Sequence, residues 1–462
     1  RREALACSAT NRRQSHSQQN CEVTNRNFIQ GRSGQSCSAA IEKPVLSEPD
    51  PTGNASATPE DQQNLMELIV DPVNLERAWK QVRSNRGAAG PDGMSIADFP
   101  DWCREHWPTI GQQLQDGTYR PQPVRRVTIP KPDGGERLLG IPNVLDRVIQ
   151  QAIGQVLTSI FDPEFSDSSF GFRPHRSAHG AIKQIQATIR SGHRWVVDVD
   201  LSKFFDRVDH DILMSRVARK VSDKRVLKLI GRYLRAGVMV DGTRQPTAIG
   251  TPQGGPLSPL LSNILLDDLD KELERRELPF ARYADDFVIL VRSSYAARKV
   301  MASVSRFVTR KLKLVVNEKK SAVRRADEAE FPGFAFRTRK ANIAVTAKNM
   351  QRLKSRVREI TTRNRGVSFD QMVGELSRYL RGWMDYFGLA AQLKLFDRLD
   401  QWIRRRIRMC YWKQWRLCRT RIRNLLELGT HPGVAIPMSL SRKGPWKCAG
   451  TLATKTGQTF SR

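Results

Sequence analysis

The chain of 462 residues carries 77 Lys and Arg against 47 Asp and Glu, a formal net charge of +30. Solubility does not require so large an excess, which favours a polyanion such as a nucleic acid as the partner. No apolar run approaches the roughly 20 residues of a membrane span, so a membrane is not an expected partner. The seven cysteines have no CxxC spacing, which argues for free thiols in a reducing compartment rather than for disulfides.

Residues 1–60 differ in composition from the rest of the chain. They are rich in Ser, Gln, Asn and Arg and poor in aromatic residues, so they bury too little apolar surface to offset the entropy of folding. We predict a disordered basic leader there. An organellar transit peptide is the alternative, although the segment has no amphipathic helical stripe. Residues 61–125 then have the pattern of helices, interrupted by the glycine-rich loop Gly87–Gly93.

Residues 126–340 alternate between strand and helix patterns, which predicts an α/β region. Strands are expected at Val124–Ile129, Arg137–Ile141, Trp195–Leu201, Phe280–Tyr283 and Phe287–Arg292. The turn signal Pro132–Gly135 joins the first two strands into a hairpin. From about Lys348 to about Leu428 the pattern is helical throughout. The region from Ala341 onward holds 25 Lys and Arg against 7 Asp and Glu, so much of the net charge lies in this helical part.

Two short acidic segments carry the candidate chemistry. Strand alternation in Val196–Leu201 places Asp198 and Asp200 on one face and the valines on the other. Asp285 and Asp286 lie in the turn between two strongly apolar strands. If the two segments are neighbours in one sheet, three carboxylates meet at one point and stay ionised at neutral pH only with a bound divalent cation. Hard oxygen ligands select Mg²⁺.

An isolated Asp–Asp pair in a turn is usually a solvated turn or a helix cap. Here Tyr283–Asp286 lies between β-rich runs and follows Asp200–Asp206 along the chain, and the combination resembles the paired palm motifs of reverse transcriptases. Further motifs in the same chain order resemble those of the reverse transcriptase/maturase proteins encoded by bacterial group II introns. The loop Gly87–Gly93, for example, is similar to their N-terminal extension motif.

This resemblance implies a catalytic site. Asp200, Asp285 and Asp286 would be the catalytic residues and would bind two Mg²⁺ ions for an in-line phosphoryl transfer. Periodicity does not distinguish Asp198 from Asp200, because the two side chains face the same way. The family pattern favours Asp200 and leaves Asp198 as a structural carboxylate.

The resemblance also implies contacts to the substrates. In the fingers hairpin, Lys131 and Arg137 would bind the triphosphate of the incoming nucleotide, which needs neutralising charge. Phe205 matches an aromatic gate that selects deoxynucleotides by excluding a ribose 2′-hydroxyl. An ordinary core phenylalanine is the alternative. The remaining predicted contacts to nucleotide, template or primer are Arg173, Gln253, Gly254 and Lys320.

The helical region indicates the branch of the family. Leu376–Phe387 resembles the maturase, or thumb, domain of group II intron proteins. Beyond it, arginines alternate with aromatic residues, a pattern suited to phosphate contact and base stacking on RNA. The predicted RNA-binding residues are Arg404, Arg405, Arg406, Arg408, Trp412 and Trp415. A plain amphipathic helix, with the aromatics in the core and the arginines in solvent, is the alternative.

The resemblance predicts a right-hand polymerase of α/β (α+β) class. Residues 61–125 would form the N-terminal extension and the start of the fingers, 126–340 the fingers and palm, and 341–428 the helical thumb or maturase domain. Residues 429–462 are predicted as a basic C-terminal tail without an endonuclease domain. The last cysteines and His431 do not have the spacing of a zinc site.

The predicted function is an RNA-directed DNA polymerase of a group II intron that reverse-transcribes intron RNA and binds it to promote splicing and mobility. Expected partners are the intron RNA, an RNA template with a DNA or RNA primer, target DNA and dNTPs. The expected location is the bacterial cytoplasm, in association with the nucleoid, rather than an organelle. Two alternatives stay open: a non-catalytic RNA-binding maturase, which three intact carboxylates disfavour, and an intron-less domesticated or defence-associated reverse transcriptase.

Overall fold

Helices and strands are mixed as far as residue 345, and only helices follow in the described part of the chain. The computed structural model describes residues 64–130, 136–240, 243–245, 249–251, 254–337, 340–390 and 392–456, and the leader predicted at 1–60 lies outside them. The helices are α1 (Leu65–Val70), α2 (Pro72–Ser84), α3 (Phe99–Gln115), α4 (Val144–Phe161), α5 (Ala178–Arg190), α6 (His210–Val217), α7 (Lys224–Arg235), α8 (Ser258–Arg275), α9 (Ser294–Lys311), α10 (Ala347–Ile360), α11 (Phe369–Phe387), α12 (Leu393–Gln414), α13 (Cys418–Glu427), α14 (Pro432–Ser439), α15 (Pro445–Cys448) and α16 (Leu452–Thr456). The strands are β1 (Val124–Pro130), β2 (Glu136–Ile141), β3 (Trp195–Val199), β4 (Val238–Val240), β5 (Thr243–Gln245), β6 (Phe280–Tyr283), β7 (Asp286–Val291), β8 (Ala322–Arg325), β9 (Glu330–Phe331), β10 (Phe334–Arg337) and β11 (Asn342–Val345). The prediction of an α/β region followed by a helical one is confirmed.

Strands β1 and β2 form the predicted antiparallel hairpin, with Arg125 opposite Ile141 and Ile129 opposite Arg137. The turn that joins them, 131–135, lies outside the described residues. Strand β1 also pairs in parallel with β4, which gives a sheet of order β2-β1-β4-β5. Half-buried and exposed residues alternate along β1, as expected for a sheet with one face in solvent.

The central sheet has the order β6-β7-β3-β8, and its pairings are antiparallel. Because side chains alternate along a strand, the sheet contributes to two cores. Val197 and Ile289 pack in a core with helices α1 to α4 and α8. Val196 and Val288 face the other way, into a core shared with the C-terminal helices. The expectation that the valines and the aspartates lie on different faces is therefore wrong for Val196. Val196 lies two residues before Asp198 and shares its face, and this sheet has apolar cores on both faces.

The helical region packs on the central sheet through one continuous apolar core. Phe334 on β10, Leu353 on α10, Leu376 on α11 and Leu399 on α12 belong to the same cluster as Val288. The position of these helices is thus set by close packing against the sheet. Within the described ranges, no helix combines the length and the apolar character that crossing a bilayer requires.

The end of α12 and the residues after it form a small helical unit. Trp412 and Trp415, which are 1% and 9% exposed, pack with Leu425 and Ala435 in a third core. The described residues of the predicted basic tail over 429–462 include α14 to α16. The prediction that the two tryptophans stack on RNA is wrong, because their rings are inside the protein.

Replacing Trp412 with alanine is expected to lower the free energy of unfolding by about 3–5 kcal/mol, because loss of a buried indole leaves a cavity. Trp446→Ala is the matched control and should cost clearly less, since Trp446 is 37% exposed. Urea unfolding followed by circular dichroism measures both variants. If Trp412→Ala kept its stability but bound RNA more weakly, this tryptophan would instead contact RNA.

Candidate active site

Strand pairing brings the two acidic segments together. In the antiparallel pair β3–β7, Val199 lies opposite Phe287, so one further step along the same register sets Asp200 opposite Asp286. Asp286 is the first residue of β7, and Asp285 precedes it in the two-residue turn from β6. The three predicted carboxylates therefore lie at one end of the central sheet.

The electrostatics of Asp286 reflect this convergence. Removal from water raises the pKa of Asp286 to about 7, the negative charges of Asp285, Asp200 and Asp198 add to the rise, and Lys320 opposes it. Solvent still reaches Asp286, so its carboxylate is accessible rather than enclosed in a core. A bound cation would stabilise the ionised form of Asp286.

Asp200 is held by the segment that follows α9. Asn317 Nδ2 donates to Asp200 Oδ1 at 2.9 Å, and the Asp200 backbone N–H donates to Ser321 Oγ at 3.0 Å. Lys320 Nζ lies 3.7 Å from Asp200 Oδ2 and is largely exposed. These contacts fix the orientation of the carboxylate and leave the exposed Lys320 beside it.

Asp198 has a different environment from Asp200. Arg324 Nη1 on β8 pairs with Asp198 Oδ2 at 3.2 Å. Burial raises the pKa of Asp198, the charge of Arg324 opposes this rise, and Asp200 adds to it. A carboxylate with its own arginine has less need of a metal ion, so the arrangement favours Asp200 as the ligand. The assignment stays a prediction.

The chemistry of the donor set fits Mg²⁺. Among the described residues, no group of three or more His, Cys, Asp and Glu side chains is preassembled around a metal position. Asp200, Asp285 and Asp286 nevertheless offer only hard oxygen ligands. Their proximity is unfavourable without a cation.

A fully buried arginine supports the turn that carries Asp285. Arg282 and Asp270 are both 0% exposed, with Nη2 2.5 Å from Oδ2. The Arg282 guanidinium also donates to Ala284 O at 3.0 Å, to Asn263 Oδ1 at 2.8 Å and to Ser169 Oγ at 2.7 Å. Sequence reasoning missed this network, although a lone arginine in the apolar strand β6 is a signal of it.

The loop between α4 and α5 packs directly on the same turn. A Cβ at Gly171 would lie 2.2 Å from the backbone nitrogen of Ala284, a distance that no side chain permits. The Gly171 carbonyl accepts a hydrogen bond from Asn263 Nδ2 at 2.9 Å. Glycine at this position therefore allows the loop backbone to brace the turn.

Arg173 lies inside this loop, and its prediction as a substrate contact is wrong. It is 7% exposed, and its guanidinium donates to Asp162 Oδ1 at 2.7 Å and to the carbonyl oxygens of Asp162, Ser166 and Ser169. The guanidinium thus joins several parts of the loop. A buried cation is tolerated only when its donors are hydrogen-bonded in this way.

The fingers hairpin faces the acidic end of the sheet. Burial raises the pKa of Asp285, the Asp200 carboxylate adds to the rise, and the charge of Arg137 on β2 opposes it. The other two predicted contacts in this region, Lys131 and Gln253, lie outside the described residues. Arg137 is thus close enough to the carboxylates to act on them electrostatically.

Gly254 lies against the same hairpin. Its φ is +119°, and a Cβ there would lie 2.8 Å from Gly140 O on β2. Only glycine combines this backbone conformation with so close an approach. Gly254 therefore joins its loop to the hairpin, and direct contact with a nucleotide stays a prediction.

Phe205 is half-buried in the short segment that follows β3. Its ring packs edge-on against Phe204, with centroids 5.2 Å apart, and its carbonyl accepts from the Thr251 backbone N–H at 2.7 Å. These contacts give the ring a fixed position, which a steric gate needs. The role of Phe205 as a gate stays a prediction.

Three of the four arginines predicted to bind RNA connect α12 to neighbouring elements, and the fourth, Arg404, pairs within α12. Their partners are Asp400 for Arg404, the Trp446 ring and carbonyl for Arg405, Thr361 for Arg406 and the Ala449 carbonyl for Arg408. Arg408 is buried, so its prediction as an RNA contact is wrong. Arg404 remains exposed and available to a phosphate.

An acidic strand end near a cationic hairpin, followed by packed helices, is the arrangement expected of a nucleotidyl-transferring polymerase. Residues 129–336 match the family model "Reverse transcriptase (RNA-dependent DNA polymerase)", and residues 350–428 match "Group II intron, maturase-specific domain". Protein YkfC of Escherichia coli is 33% identical over 59% of this chain and 81% of that protein. The chain belongs to the family of bacterial group II intron-encoded reverse transcriptase/maturases, whose enzyme class is RNA-directed DNA polymerase.

The name of a second relative describes it as an intron-encoded protein. The group II intron-encoded protein LtrA of Lactococcus lactis subsp. cremoris is 32% identical over 63% of this chain and 59% of LtrA. The chain thus spans less than two thirds of the length of LtrA. Among solved structures, a telomerase from Candida albicans aligns with a TM-score of 0.41 and 12% identity over 63% of this chain and 60% of that chain.

Replacing Arg282 with methionine is expected to cost about 3–5 kcal/mol of unfolding free energy, because Asp270 would stay buried without its partner. Arg275→Met is the matched control: it breaks a pair with Glu272, also on α8, but Arg275 is largely exposed, so the cost should be below about 1 kcal/mol. Chemical denaturation compares the two. Equal costs would show that the buried pair does not hold the turn.

Proposed function

We propose that this chain extends a DNA or RNA primer on its intron RNA template, with dNTPs as substrates. The observation that carries the proposal is the strand register that sets Asp200 opposite Asp286 and beside Asp285. These three residues would hold two Mg²⁺ ions, which when bound activate the primer 3′-hydroxyl and neutralise the leaving pyrophosphate.

The protein's own side chains would perform the remaining tasks. Arg137, with Lys131, would orient the triphosphate, since a polyphosphate needs charge neutralisation before transfer. The Phe205 ring would exclude a ribose 2′-hydroxyl. Lys320, 3.7 Å from Asp200, would donate a proton to the departing pyrophosphate or contact its phosphates. Gln253 would bind the nascent base pair.

We further propose that the chain binds its intron RNA to promote splicing and mobility, and that target DNA is a partner in the second process. The family membership and the excess of 25 Lys and Arg over 7 Asp and Glu from Ala341 onward support this role, because phosphate contacts dominate affinity for RNA. The proposed location is the bacterial cytoplasm, in association with the nucleoid.

Primer extension on RNA with dNTPs and Mg²⁺ tests the catalytic proposal. Asp285→Ala with Asp286→Ala should reduce the extension rate by about 100-fold or more, because the electrostatic stabilisation of the reacting groups is removed. RNA binding by this variant should be retained, since the carboxylates repel rather than attract RNA.

Two single variants distinguish Asp198, on β3, from Asp200, directly after it, and serve as controls for each other. Asp200→Asn should lose extension as the double variant does, whereas Asp198→Asn should keep most of it, because Arg324 already pairs with Asp198. Loss in Asp198→Asn with retention in Asp200→Asn would reverse the assignment. Full activity of the Asp285→Ala, Asp286→Ala variant would rule out this site as the catalytic centre.

A further inference from the structure

Phe172 combines two properties that cost the fold stability. Its φ is +59°, in the left-handed region that bulky L-residues rarely adopt because Cβ approaches the following carbonyl. Its side chain is 48% exposed and joins none of the hydrophobic cores formed by the described residues. Strain of this kind persists only where the surroundings impose it, and it is concentrated at functional sites.

The backbone is fixed on both sides of Phe172. Gly171, before it, abuts the catalytic turn, since a Cβ there would lie 2.2 Å from the nitrogen of Ala284. Arg173, after it, is anchored inside the loop by hydrogen bonds that include one of 2.7 Å to Asp162. The two anchors hold Phe172 in its strained conformation immediately beside the turn.

The turn itself shows the same feature. Ala284 also has a positive φ, +60°, and it directly precedes Asp285. Phe172 and Ala284, two non-glycine residues with positive φ, thus lie at the close contact between the loop and the turn. The Phe172 Cα is one peptide unit, about 3.8 Å, from Gly171, so Phe172 presents an exposed ring from the loop that packs on the turn carrying Asp285.

We propose that the Phe172 ring is a stacking platform for a nucleobase of the primer–template duplex in the active site. This proposal rests on the proposed polymerase function, because that function brings a base to this position. Stacking on an aromatic ring is insensitive to sequence, since every base has a π-face, and a template-directed enzyme requires such tolerance. In the loop that packs on the turn, the exposed side chain is then that of Phe172, whereas the neighbouring Arg173 is buried.

The loop supplies its own matched control. His175 is likewise a non-glycine residue with a positive φ, +56°, and it is exposed, but it lies three residues further from the turn contact at Gly171. Phe172→Gly and His175→Gly both relieve left-handed strain, so both variants should fold. Their thermal midpoints should lie within about 4 °C of wild type. Phe172→Tyr keeps the aromatic ring and serves as the rescue variant.

Fluorescence anisotropy with a labelled DNA primer annealed to an RNA template, with Mg²⁺ present, measures the dissociation constant of each protein. We expect Phe172→Gly to weaken binding by about 10-fold or more, while His175→Gly and Phe172→Tyr stay within about 3-fold of wild type. Equal dissociation constants for the two glycine variants would overturn the proposal. Wild type that binds the duplex but does not extend it would count against the polymerase function and leave the stacking result standing.

An abasic nucleotide, introduced at one position of the primer–template at a time, locates the base. At one position near the primer 3′ end, loss of the base should weaken wild-type binding by about as much as Phe172→Gly does, and the two losses should not add. His175→Gly should remain additive at that position. Additivity of Phe172→Gly with every abasic position would show that the ring contacts no base.

Discussion

The mutual repulsion of three carboxylates at one end of the central sheet is the constraint on which the rest of the structure depends. Asp200, Asp285 and Asp286 come from two segments that are distant along the chain, and the register of β3 against β7 brings them together. A slip of one residue would turn every apolar side chain of these strands to the other face. Both faces of the sheet pack closely in apolar cores, so such a slip would disrupt the packing on both sides.

A second layer of contacts holds the turn against that repulsion. Arg282, bonded to Asp270 and to the Ala284 carbonyl, is buried in a place where an incompletely bonded cation would be strongly destabilising. The loop that contains Gly171 closes on the turn from the other side. The same loop exposes a strained phenylalanine next to the acids, so the elements that stabilise the turn also shape the surface that a nucleic acid would meet.

The acidic pair, the hairpin and the helical C-terminal region could be predicted from the sequence because each has a local signal: strand alternation, turn residues or helical periodicity. Periodicity could not distinguish Asp198 from Asp200 as the metal ligand, and the preference for Asp200 came from the family resemblance. Burial of Arg173 and Trp412 could not be predicted, because an arginine beside a motif or a tryptophan among arginines has the same local pattern whether it faces solvent or a core. The strain at Phe172 is equally invisible in sequence, since it arises from anchors on both of its neighbours.

The most direct test of the convergence of the carboxylates is anomalous scattering from crystals of a primer–template–dNTP complex grown with Mn²⁺ in place of Mg²⁺. The account predicts two manganese peaks held between Asp200 and the turn that carries Asp285 and Asp286. A complex with ordered nucleotide in which no metal lies within ligand distance of Asp200 would contradict it.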